Sequence, residues 1–266
     1  MRCIVLALAI VVAGCTPSPE VQIEEEFNQR IQSGGLTGAA LADAYTDRGI
    51  LHLATEKPDA AIADFNLAIQ AAPEFAEAYV WHGVAMSAKN DKTRAREYFD
   101  RALAIDPEFW FAQGMSGLAM AEAGEDDAAL AKLARAIDLG MPHRSEYFVR
   151  ETRYRRYTQV TRRGVAYTTK VPVELAAAAS DQLILYHLAR AQIFLKRSEK
   201  ESALAESQQA VQLAPDSSAV RWRLIEVLVA LDQCEEANRQ AETFGEFAKM
   251  LLMARMTDEC PTPPKQ

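Results

Sequence analysis

Apolar residues are distributed along this chain in two different ways. From Cys3 to Ala13 they form an unbroken run preceded by Arg2. That run is too short to span a bilayer comfortably and suits the core of a signal peptide. Further on, the apolar positions recur at helical spacing and are punctuated by prolines. Pro73 and Pro107 stand 34 residues apart. With Pro73 at position 32 of a 34-residue unit, the first unit runs from Ala42 to Phe75. Tyr45, Gly49, Ala61, Phe65 and Ala68 then occupy positions 4, 8, 20, 24 and 27. The second unit, Ala76 to Phe109, puts Tyr79, Gly83, Ala95, Phe99, Ala102 and Pro107 in the same slots.

A third unit begins at Trp110, with Gly117, Gly124, Ala129, Leu133 and Ala136, and its proline is displaced by one to Pro142. A fourth, anchored on Pro215, starts near Ile184. Ala191, Ala203 and Ala210 fall at positions 8, 20 and 27, while Ser207 replaces the aromatic at position 24. A fifth, from Ser218, keeps Ala237 at position 20. The pattern predicts two antiparallel helices per unit. Small residues at positions 8 and 20 permit close approach, a larger one at 24 fills the space between units, and proline ends the second helix.

These residues resemble the tetratricopeptide repeat, and the resemblance implies an all-α helix-turn-helix solenoid that binds other proteins. It implies that the first helices line a concave groove, with Asp43, Thr46, Ile50, Glu77, Val80, Val84, Phe111 and Leu118 facing inward. The subtype that clamps a terminal carboxylate is not matched, because Thr46, Ile50, Phe111 and Gly114 stand where its polar residues would be. A leading helix is expected over residues 20–32, broken by "SGG" at 33–35, and a closing helix over 245–256. The expected organisation is a signal peptide (1–14), a tether and leading helix (15–41), three repeats (42–142) and an insertion (143–183). Two further repeats and the closing helix (184–256) and a tail (257–266) follow.

The insertion breaks the period. Residues 143–170 hold eight basic residues against Glu146 and Glu151, a local +6. The rest of the chain beyond residue 14 carries −15. Alternation in "VAYTTKV", with Gly164 between two β-branched and aromatic stretches, favours a small β-hairpin. The alternative is an irregular helical repeat from Ser145 to Gln159 followed by a loop. Arg155, Arg156, Arg162 and Arg163 would offer a basic surface to an anionic partner, or would pair with the acidic solenoid itself.

The net charge of −8 argues against nucleic acid as a partner. The string "VVAGC" ends the apolar run and resembles the bacterial lipoprotein signal. In that family the cysteine, here Cys15, is acylated and becomes the new N-terminus. Thr16 is not Asp, so the resemblance implies the outer membrane, facing the periplasm. In that oxidising compartment Cys234 and Cys260 are expected to form a disulfide.

No phosphate-binding loop, HExxH, GxSxG or CxxC occurs, and His52, His82, His143 and His187 lack metal-ligand spacing. The expectation is therefore no metal, no cofactor and no catalysis. The leading reading is an outer-membrane-anchored adaptor that binds proteins in an envelope assembly, secretion, pilus or cell-wall-remodelling complex. The alternative is a lipid-anchored binder of cell-wall polymer or anionic lipid through the basic insertion.

Overall fold

The computed structural model describes residues 19–141 and 179–242. Among them are eleven helices and no strand. They are α1 (Pro19–Gln32), α2 (Gly38–Ala54), α3 (Pro58–Ala71), α4 (Ala76–Ala88), α5 (Lys92–Ile105) and α6 (Trp110–Glu122). After these come α7 (Asp126–Gly140), α8 (Ala179–Lys196), α9 (Lys200–Leu213), α10 (Ser218–Ala230) and α11 (Cys234–Ala241). The expected closing helix and the β-hairpin fall outside the described residues.

From α2 onward the helices pair as α2/α3, α4/α5, α6/α7, α8/α9 and α10/α11, one pair per unit. The intimacy within a pair comes from the small residue at position 8. A Cβ on Gly49 or Gly83 would stand 2.5 Å from the ring of Phe65 or Phe99, so only glycine lets those rings reach the first helix. In unit four the trade is reversed: Ala191 stands at position 8, and the buried Ser207 replaces the ring, donating its hydroxyl to the Ala203 carbonyl at 2.9 Å. Alanines at position 27 (Ala68, Ala102, Ala136 and Ala210) are fully buried where units stack.

All five units share one turn. Position 15 (Glu56, Asn90, Gly124, Ser198 and Asp232) has φ between 58 and 77°. The next residue donates its N–H to the carbonyl at position 11, and position 15 donates to position 12, at 2.8 to 3.1 Å. This is the Schellman arrangement, which satisfies carbonyls the helix end would otherwise leave unpaired. Its recurrence in register fixes units four and five as firmly as the first three.

The stack also runs through the break in the sequence. Three second-to-first-helix connections take four residues each, whereas 38 separate α7 from α8, yet α8 packs on α7 as the other first helices pack on their predecessors. The first helix of unit four begins at Ala179, ahead of the repeat frame at Ile184. Ion pairs bridge successive units along the edge that carries the turns. They are Asp59–Lys89 at 2.6 Å, Lys92–Glu122 at 3.1 Å, Arg96–Glu125 at 2.5 Å, Asp126–Lys196 at 2.9 Å and Asp127–Arg197 at 2.7 Å. Most are exposed, so each contributes at most about 1 kcal/mol and chiefly marks the register.

The leading helix α1 is placed like the second helix of a preceding unit. Asn28 accepts from Arg48 at 2.7 Å, as Asn66 meets His82 one unit on. Ile23 and Phe27 bury themselves against Leu51. Its opposite face presents Gln22, Glu25, Glu26 and Gln29, so the helix caps the apolar end of the stack.

Candidate protein-binding face

Which side of the first helices is available follows from helix geometry. Position 8 faces the second helix of its own unit, and position 7 lies between that helix and the one of the unit before. At about 100° per residue, positions 2, 6, 9 and 13 lie on the opposite side. Successive first helices also pack on one another along the stack, which puts that side on the inner face.

In units two to four this face is largely apolar. Trp81, Met115, Leu118 and Leu185 are half-buried along it, and Glu77 lies beside them. The Trp81 ring stands 5.2 Å from that of Phe111, itself within 6.2 Å of Phe109 and 5.9 Å of Trp110. At the unit-one end the face turns acidic, and Arg30 of α1 reaches Asp43 and Asp47 at 3.4 Å each.

Of the residues expected to face a partner, Asp43, Glu77 and Leu118 are partly exposed on this side. Thr46, Ile50, Val80, Val84 and Phe111 are buried. Thr46 and Val80, at position 5, lean toward the next first helix, and Ile50, Val84 and Phe111 are taken up in the core cluster. Trp81, Met115 and Leu185 were not anticipated, although the helical period that placed Phe111 would have found Met115 one turn on. Cys15, Arg155, Arg156, Arg162, Arg163 and Cys260 lie outside the described residues; Cys234 opens α11.

Two buried histidines differ sharply. His52 sits among charges. Its Nε2 is 3.3 Å from Glu24 of α1, and its Nδ1 is 3.0 Å from Asp64 of α3 but off the N–H axis. Arg48 donates to both Asp64 oxygens, at 3.0 and 2.5 Å, and Lys57 reaches Glu24 at 3.2 Å. Asp64 raises the His52 pKa above its ordinary 6.5 against the opposing effect of burial, and Glu24 adds to the rise. Burial would raise the carboxyls of Asp64 and Glu24, but His52 with Arg48 in one case and Lys57 in the other holds them low.

His82 is stacked on Tyr98 at 3.8 Å with no carboxylate beside it, and Nε2 meets the Asn66 side chain at 3.1 Å. Burial pushes it down to about 4. Among the described residues no group of three His, Cys, Asp or Glu could hold a metal ion, and no helix is long and apolar enough to cross a membrane.

Residues 46–108 and 87–143 match the tetratricopeptide repeat family model. No curated protein matches the chain in sequence. Solved structures share its fold. One is pilF of Pseudomonas aeruginosa, 15% identical, with a TM-score of 0.58 over 82% of this chain and 83% of that one. Another is YrrB, described as a tetratricopeptide-repeat protein with an unusual peptide-binding site, 15% identical, with a TM-score of 0.51 over 87% and 94%. A third is MamA of Desulfovibrio magneticus RS-1, 17% identical, with a TM-score of 0.51 over 82% and 97%.

Proposed function

Because the chain is a tetratricopeptide-repeat protein, and so has a fold that serves as a scaffold for protein–protein interaction, we propose that it is a non-catalytic adaptor of the bacterial envelope that holds a partner protein on its inner face. The observation that carries the reading is the half-buried strip of Trp81, Met115, Leu118 and Leu185. A strip of large apolar side chains left half-buried gains by covering itself with apolar groups of a partner. The peptide-binding site of YrrB on a related solenoid is consistent with a peptide segment as the ligand.

The envelope location rests on the sequence. The apolar core ending in "VVAGC" supports acylation of Cys15, and Thr16 supports the outer membrane. A bridge between Cys234 and Cys260 fits an oxidising compartment.

A second reading is favoured by the charge of the insertion. Eight basic residues within 143–170 suit an anionic ligand such as cell-wall polymer or lipid headgroups, through Arg155, Arg156, Arg162 and Arg163. Crosslinking in intact cells followed by affinity purification separates the two. A protein adduct that survives replacement of the four arginines by serine supports the adaptor. Glycan or lipid recovered only with the arginines present supports the second reading. Incorporation of labelled fatty acid, lost in Cys15→Ser, tests the anchor; unchanged labelling would refute it.

A further inference from the structure

The cap helix α1 docks on the first unit through an apolar cluster and several polar ties. Its apolar hold is the small cluster of Ile23, Phe27 and Leu51. Its polar ties are Asn28 to Arg48, Arg30 to Asp43 and Asp47, and Glu24 to His52 and Lys57. Of these ties, only the one to His52 depends on a proton that exchanges near neutral pH.

The His52 ring lies between two carboxylates: Nε2 is in hydrogen-bond reach of Glu24 at 3.3 Å, and Nδ1 is 3.0 Å from Asp64, close enough for charge attraction though off the N–H axis. A neutral imidazole has one N–H, so one nitrogen would turn a lone pair toward a carboxylate. The charged groups facing the ring from the elements around it are Glu24 of α1, Arg48 of α2, Lys57 of the following turn and Asp64 of α3. Without the imidazolium these four already balance.

The two carboxylates differ in freedom. Asp64 is 3% exposed and held by both Arg48 nitrogens, whereas Glu24 is 32% exposed and rides on α1. In either tautomer of the neutral ring, Glu24 loses a cationic partner. It then faces a lone pair or keeps only a weaker neutral donor.

We propose that His52 is a proton-operated latch for the cap helix: protonated, it fastens α1 to the first unit through Glu24, and on losing its proton it lets α1 loosen. The raised pKa of His52 agrees with this arrangement. By linkage, a raised histidine stabilises the docked form fully below the ordinary 6.5 and ceases to do so as pH rises through the raised value. Loosening also draws Arg30 away from Asp43 and Asp47. The latch therefore couples proton concentration to the acidic end of the inner face.

The test is hydrogen–deuterium exchange on the full chain at about pH 6 and about pH 9, expressed as protection factors so that base-catalysed exchange cancels. Protection over Ile23–Gln32 should fall by about fivefold more than in α4 or α9, a modest factor because Glu24 is partly solvated. Glu24→Gln, at a site exposed enough to leave the fold intact, should abolish that excess fall, and His52→Gln should do the same. An α1 that keeps its protection at high pH in the wild type overturns the proposal. So does an equal excess fall in Glu24→Gln.

Discussion

Gly114 exists to admit Tyr186. A Cβ on Gly114 would lie 1.9 Å from Cζ of that ring, which is fully buried at the junction of units three and four. Elsewhere in the stack the exchange is the other way round. Position 5 of one unit and position 3 of the next are Thr46 with Ala78, then Val80 with Ala112, all buried. Gly114→Val alone should destabilise by about 1–3 kcal/mol through overpacking. Tyr186→Ala alone should cost about 3–5 kcal/mol through the cavity it leaves. The double variant recreates the Val80/Ala112 pair and should recover more than 1 kcal/mol of the summed loss. Urea titrations of the four proteins measure the coupling, and strict additivity would show that the two sites do not share space.

The shared turn makes a second expectation. Glu56 adopts φ 58° and Ser198 φ 62°, a region that disfavours side chains bearing Cβ, whereas unit three uses Gly124 there. Glu56→Gly and Ser198→Gly should each raise stability by about 0.5–1 kcal/mol, after the extra freedom of glycine in the unfolded chain is set against the relief. Thermal denaturation reads this as a small upward shift in Tm; a fall would mean that Glu56 or Ser198 contributes more than its backbone strain costs.

Most of the fold could be read from the chain because the repeat writes it several times. Pro73 and Pro107 set the period, and the pairing of Gly49 with Phe65 and Gly83 with Phe99 made the helix contact visible as two recurring residue types. Where volume was exchanged between partners the signal weakened. Ser207 looked like a departure, although Ala191 opposite it compensates. Gly114 looked like an absent clamp residue, although it makes room for Tyr186. The inner face was harder. Its positions were taken from a resemblance, and five of the eight are buried, because exposure at a helix position depends on what the next unit puts beside it. The bond from Glu24 to His52 spans 28 residues and requires α1 to stand in for a second helix, which no local pattern announces.

His82 predicts an acid response opposite in sense to that of His52. Its folded pKa of about 4 lies below the ordinary 6.5 because burial disfavours the cation. The stability tied to its neutral ring is fully present above 6.5, falls as pH drops, and is gone below about 4. His82→Phe keeps an aromatic ring beside Tyr98 and should flatten the stability profile across that window. Chemical denaturation at a series of pH values checks it; an unchanged slope would place the acid sensitivity at another group.

The unbroken packing of α8 on α7 implies that the long connection is not needed to build the solenoid. Replacing residues 143–178 by a short flexible linker should preserve the helical signal of α2 to α11 and keep Tm within a few degrees. Circular dichroism measures both, and a large loss of helix would mean that the segment completes the junction.

The central claim is that the inner face, with Trp81, Met115 and Leu118, holds a protein partner. Photo-crosslinking amino acids placed singly at Met115, Leu118 and Glu77 test it in living cells, against controls at Gln70 and Arg101 on the exposed side of the second helices. The account predicts that irradiation joins the inner positions to the same discrete protein, and that the outer positions give no such adduct. Adducts formed equally from both sides, or from the outer side alone, would contradict it.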